Sequence, residues 1–189
     1  MRIAICGGIG SGKSAVLDII RGLGYFVVSA DDVTRELYKD EKFVRLVAAA
    51  FPEAVIDGEL DKATLSEIIF KDKAKRLVLN SISHPMIINR IMAIDCDPLF
   101  VEVPLLIESG LKEQFDEIIY VKSKLRHRIK RLKETRGLST KQIRAVMKAQ
   151  ARSREVAEAA TVILNNFGGI DELKENVVEI IDYILKDKP

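Results

Sequence analysis

The first two dozen residues, MRIAICGGIGSGKSAVLDIIRGLG, constrain the fold more than any other stretch. A short apolar run, "RIAIC", enters a loop with glycines at 7, 8, 10 and 12. Val16, Ile19, Ile20 and Leu23 then recur at helical spacing until Gly24 closes the segment. "YFVVSA" follows as a continuous β-branched and aromatic run, the pattern of a strand covered on both faces. A helix between two such strands implies a parallel crossover, and so an α/β layer fold with a mostly parallel sheet. Gly7, Gly12, Lys13 and Ser14 also satisfy G-x-x-x-x-G-K-[ST] between a strand and a helix, the context that motif requires. The glycines let backbone N–H groups turn inward around a β-phosphate, and the helix start adds its positive end. Lys13 brings a point charge to β/γ oxygens, and Ser14 offers a hydroxyl to Mg²⁺. Gly8, Ile9, Gly10, Ser11, Gly12, Lys13, Ser14 and Ala15 are therefore the expected nucleoside triphosphate site, with Mg²⁺ beside it and Ser14 as the metal ligand.

At 189 residues there is room for one good core and a smaller subdomain. Charged residues make up 31% and hydrophobic ones 48%, with no apolar run near the roughly 18 to 20 residues that a membrane span needs. The opening residues also lack the regions of a signal peptide, so a cytoplasmic protein with no membrane partner is expected. Cys6 and Cys96 lie far apart, and His84 and His127 are the only histidines, which argues against a structural zinc site. A net charge of +2 argues against wholesale nucleic-acid binding.

Beyond Asp31 the pattern changes. "VTRELYK", "KFVRLVAAAF", "KATLSEIIF", "AKRLVLNSI" and "PMIINRIMAI" read as successive helices, separated by Pro52, Gly58 and Pro85. "LFVEV", "EIIYVK" and "TVILNN" restore the buried-strand signature before a last helix, "IDELKENVVEIIDYIL". The expectation is a five-stranded parallel core from residues 1–31, 98–123 and 161–189, a helical insertion over 32–97, and a lid over 124–160.

Neither an N-K-x-D guanine element nor a D-x-x-G switch is present, and "LFVEVPLLIE" does not end in the Asp-Glu of a motor ATPase. A small phosphotransferase remains. Such an enzyme needs a group for the acceptor hydroxyl and mobile cations over the transferring phosphate. Asp31 and Asp32 follow the second strand at its carboxyl end, where open α/β sheets bind ligands, although Asp there also suits a helix N-cap. The cations lie in "VKSKLRHRIKRLKETRGLS", where Arg128, Arg131 and Thr135 share one helical stripe. A solvated basic helix is the plainer reading for most of them.

Taken together, "GGIGSGKS", "VVSADDVTREL", "GELDKATLSEIIF", "SHPMI", "VEVPLLIESGL", "RGLS" with "AQ", and "VILNNFG" resemble the dephospho-CoA kinase family along nearly the whole chain. The resemblance implies a P-loop kinase core with a helical CoA subdomain and a lid. It also implies transfer of the ATP γ-phosphoryl group to the 3'-hydroxyl of dephospho-CoA, the last step of coenzyme A synthesis, by a monomer or weak homo-oligomer without nucleic acid. Carried over by position, Asp31 would orient the acceptor hydroxyl, with Lys13, Arg131 and Arg136 as its catalytic partners. Arg35, Lys62, His84, Pro104 and Leu105 would face the acceptor, and Asn166 and Gly168 would form the turn near adenine. The chain departs from the family pattern at several points. Ser29 stands for an aspartate, Lys62 for an arginine, Thr135 for the second lid arginine with Arg136 beside it, Val156 for a lysine, and Thr161 for an aspartate. Two alternatives stay open: another small-molecule or nucleoside monophosphate kinase, and a non-catalytic ATP-binding homologue.

Overall fold

The computed structural model describes residues 1–104, 106–150 and 153–186. In chain order its elements are β1 (Arg2–Cys6), α1 (Lys13–Gly22), β2 (Phe26–Ser29), α2 (Ala30–Leu37), α3 (Glu41–Ala50), β3 (Val55–Ile56), β4 (Glu59–Leu60), α4 (Lys62–Lys71), α5 (Lys73–Met92), β5 (Leu99–Glu102), α6 (Leu106–Ser109), β6 (Glu117–Lys122), α7 (Leu125–Arg136), α8 (Thr140–Ala149), α9 (Ser153–Ala159), β7 (Val162–Asn165) and α10 (Ile170–Lys186). The chain forms two compact units, Met1–Ser29 with Cys96–Pro189, and Ala30–Asp95.

The first unit is built on a five-stranded sheet in the order β2-β5-β1-β6-β7, every pairing parallel. β1 is central because Ile3, Ala4, Ile5 and Cys6 are all buried and apolar, so both faces of the strand tolerate covering layers. Ile5 and Val121 from the sheet, Val16 and Ile20 of α1, and Leu173 and Val177 of α10 belong to one core cluster. The strand order reverses beside β1, which places the loop after β1 at a topological switch point, where sheets of this kind take their ligands.

In the second unit, aspartates start three helices. Asp40 accepts the Lys42 and Phe43 N–H groups, Asp61 that of Thr64, and Asp72 those of Ala74 and Lys75. Each satisfies donors that a helix start leaves without intrahelical partners. Arg90 of α5 reaches Asp40 at 2.6 Å and ties two of the helices together. Phe43, Val47, Leu65 and Ile91 form the buried centre.

Two sequence expectations change here. "AKRLVLNSI" and "PMIINRIMAI" are one helix, α5, with Pro85 inside it. The residues Leu79, Ser83, Ile87 and Ile91, four apart, stay buried on one face through the proline, and that packing outweighs one missing backbone hydrogen bond. Gly58, read only as a separator, is half of a two-residue turn: Asp57 (φ 53°) and Gly58 (φ 84°) connect the antiparallel pair β3 and β4.

Candidate active site at the glycine-rich loop

The loop from Gly7 to Gly12 leaves the carboxyl end of β1 and opens α1. Gly12 is the N-cap of α1 in the left-handed region, at φ 96°, and a Cβ there would collide with the Asn166 side-chain amide. Only glycine meets both conditions. Lys13 Nζ donates to the Gly7 carbonyl at 2.8 Å. Burial holds its ammonium below the ordinary lysine range. The nearby Glu102 and Cys6 act in the opposite sense, while Arg128 and Arg136 add to the depression. Ser14 stands exposed on the first turn of α1, and Ser11 is buried, with no hydrogen-bond partner for its hydroxyl among the described residues.

Side chains from elsewhere in the same unit hydrogen-bond to the loop. Asn166, buried just after β7, donates to the Ser11 carbonyl at 2.8 Å and accepts from Arg131 Nη2 at 3.1 Å. Arg131 Nη1 donates to the carbonyls of Ser11 at 3.1 Å and Gly10 at 3.4 Å, and to Ser123 Oγ at 3.2 Å. Arg128 Nε donates to the Ile9 carbonyl at 2.8 Å, and its guanidinium lies where a Cβ on Gly8 would be. Gln150 Oε1 accepts the Ile9 N–H at 2.9 Å. A cavity of about 110 Å³ opens against Gly7 and Gly8, and Cys6, Pro104, Arg128, Gln150 and Val156 are among its walls.

The structure therefore gathers Lys13, the Gly8 to Ala15 segment, Arg131, Asn166 and Pro104 around one loop. Arg136, at the exposed end of α7, acts on the site through its charge on Lys13. Gly168 is exposed two residues past Asn166, and a side chain there would run into the Glu172 carboxylate. Leu105 lies outside the described residues.

The other named residues belong to the second unit. Asp31 is exposed in the first turn of α2, which starts at Ala30, so Asp31 is no N-cap. Arg35 pairs with Asp32 on the same helix. Lys62 sits over the Tyr38 ring, 4.8 Å from its centroid, and His84 lies half-buried in the middle of α5.

Two residues of this site went unread in the sequence. Glu102 ends β5 in register with Ile5 of β1 and Ser29 of β2, so a carboxylate stands directly beside the position where Ser29 replaces an acid. The acid closing the apolar run "LFVE" was its only sign. Gln150, known only as part of "AQ", gave no hint of its partner.

This architecture has known counterparts. The sequence pattern of the dephospho-CoA kinases matches residues 1–172. The chain belongs to the dephospho-CoA kinase family. Members are ATP-dependent transferases, and so is this chain. A dephospho-CoA kinase of Corynebacterium glutamicum is 33% identical to it over 191 residues, covering 96% of this chain and 98% of its own length. A crystal structure from Thermus thermophilus, 28% identical, superimposes with a TM-score of 0.83 over 100% of this chain and 98% of that one. The dephospho-CoA kinase from Campylobacter jejuni shares the fold, with a TM-score of 0.71 at 23% identity over 98% and 97% of the two chains.

Proposed function

We propose that this chain transfers the γ-phosphoryl group of ATP to the 3'-hydroxyl of dephospho-CoA, with the roles divided as follows. The loop N–H groups and the α1 N-terminus hold the phosphates, and Lys13 neutralises charge between the β and γ positions. Asp31 takes the acceptor hydroxyl; its carboxylate has no hydrogen-bond or ion-pair partner among the described residues, which suits a group awaiting a substrate proton. The 3'-oxygen bonds to the γ-phosphorus as the bond to the bridging oxygen of ADP breaks, and the hydroxyl proton leaves through Asp31. Arg35, Lys62 and His84 give the helical unit Ala30–Asp95 the character of an acceptor-binding subdomain.

Mg²⁺ suits the donors present. Ser14 offers a hydroxyl and Glu102 a carboxylate in the electrostatic neighbourhood of Lys13, both hard oxygen groups. Among the described residues no cluster of three or more His, Cys, Asp or Glu could hold a metal ion by itself. Mg²⁺ there would take Ser14 and Glu102 as protein oxygens, with water and substrate phosphates as its other ligands. Bound there, Mg²⁺ supplies charge neutralisation on the β- and γ-phosphate oxygens.

The observation that carries this reading is the family match over residues 1–172 in a chain whose loop keeps Lys13 folded onto Gly7. The test is ADP release from ATP and Mg²⁺ with dephospho-CoA, AMP, CMP or no acceptor, and the product weighed by mass spectrometry. Release that depends on dephospho-CoA, with a product one phosphoryl group heavier, is expected. Release with AMP or CMP instead would assign a nucleoside monophosphate kinase, and binding of ATP without any transfer would assign a non-catalytic homologue.

A further inference from the structure

We infer that Arg128, and not Arg131, is the lid cation that contacts the transferring phosphoryl group. The inference rests on the phosphotransfer reading above and assigns one of its residues.

The two arginines lie one turn apart on α7 and use their donors differently. Arg131 is committed. Its Nη1 serves Ser11, Gly10 and Ser123, and its Nη2 serves Asn166. A guanidinium with both terminal nitrogens spent on Gly10, Ser11, Ser123 and Asn166 is a brace for the loop. Arg128 spends only Nε, on Ile9; its Nη1 and Nη2 have no hydrogen-bond or ion-pair partner among the described residues. Those nitrogens lie over Gly8 and face the cavity walled by Gly7, Gly8 and Gln150.

The charges agree with the geometry. Arg128 is half-buried, and burial lowers its pKa while the nearby Tyr120 acts in the opposite sense. Its positive charge acts on Lys13 in the repulsive sense. Two cations that repel across a partly buried space, with open N–H donors on one of them, form a site that an anion relieves. Lys13 marks the β/γ end of the phosphate chain, so the anion nearest Arg128 is the γ-phosphoryl group. Arg136 also acts on the Lys13 charge, but it stands exposed at the end of α7 and does not line the cavity. The Thr135 hydroxyl is turned back onto the Arg131 carbonyl at 2.7 Å, and Val156 is an apolar wall of the same cavity. During transfer the guanidinium keeps its proton and donates to equatorial phosphoryl oxygens.

The experiment compares wild type, Arg128→Ala and Arg128→Lys by kcat, KM for dephospho-CoA and ADP affinity by calorimetry, with and without added guanidinium ion. Wild type must first show transfer to dephospho-CoA; an inactive wild type overturns the reading above and this assignment with it. With an active wild type, Arg128→Ala is expected to lose about 10³-fold or more in kcat, the scale of an arginine that stabilises a transferring phosphoryl group. ADP affinity should stay within about threefold, guanidinium should restore part of kcat, and Lys should recover only a fraction, since it lacks the planar fork. Arg128→Ala with kcat within about threefold of wild type would overturn the assignment. So would ADP affinity and kcat falling together with no guanidinium rescue, the behaviour of a second brace.

Discussion

Gln150 and Ile9 are 141 residues apart, yet the Gln150 side-chain carbonyl accepts the Ile9 N–H at 2.9 Å while the Ile9 carbonyl accepts from Arg128 at 2.8 Å. One residue of the phosphate loop is thus held through both of its backbone polar groups, in two adjacent peptide units, by side chains from the segment after β6. The expected consequence is local. In Gln150→Ala the Ile9 amide loses its partner, and a hydrogen bond worth about 0.5 to 1.5 kcal/mol corresponds to a rise of up to about tenfold in its exchange rate. Hydrogen-exchange mass spectrometry on the ligand-free protein reads this directly. Equal exchange in mutant and wild type would mean that the bond does not persist in solution.

Lys13 makes nucleotide binding pH-dependent. Burial holds its pKa below 10.5 in the ligand-free protein, and bound phosphate favours the ammonium and raises the pKa again. Above the ligand-free pKa, binding must therefore take up a proton, and ATP affinity falls as pH rises through that value. Calorimetry at alkaline pH in buffers of different ionisation heat is expected to show proton uptake, absent in Lys13→Met. For folding the sign is opposite. The unfolded chain holds more protons at this site between the two pKa values, so the site's contribution to stability rises with pH across that window.

Gly12 faces two independent constraints, a φ of 96° and the Asn166 amide where a Cβ would sit. Gly12→Ala should destabilise the protein by about 2 kcal/mol or more and weaken ATP binding, since Asn166 must let go of Ser11. Urea unfolding and nucleotide titration check the two effects. A variant as stable as wild type would show that the loop relaxes at little cost.

Asp31→Asn keeps the size and hydrogen-bonding capacity of the side chain and removes its basicity. ATP binding is expected to be unchanged and transfer to dephospho-CoA to fall by about 10² to 10⁴, the range for loss of a general base. Near-normal turnover would take Asp31 out of the mechanism.

Much of this was legible in the chain because it is encoded locally. The spacing of Gly7, Gly12, Lys13 and Ser14 and the apolar runs around them specify strand, loop and helix within 24 residues. Asp57-Gly58 is itself a hairpin-turn dipeptide, a signal lost when Gly58 is taken only as a separator between helices. Pro85 did not read correctly: whether a proline ends a helix depends on what the flanking residues bury, and Leu79 to Ile91 bury one continuous face.

The sequence by itself determined the loop, the parallel sheet and the family, since these rest on periodicity and on motifs whose residues act close to one another along the chain. Only the tertiary structure decided what the distant side chains do. From the sequence, Arg128 and Arg131 are two cations on one basic helix. Folding sets Arg131 against loop carbonyls and Asn166 through both terminal nitrogens, and holds Arg128 by Nε alone, its Nη donors over Gly8 without a partner among the described residues. Glu102 is an acid at the end of an apolar run until strand register brings it beside Ile5 and Ser29. A side chain's charge is written in its chemistry, but the partner that satisfies it is chosen by the packing of elements far apart in sequence.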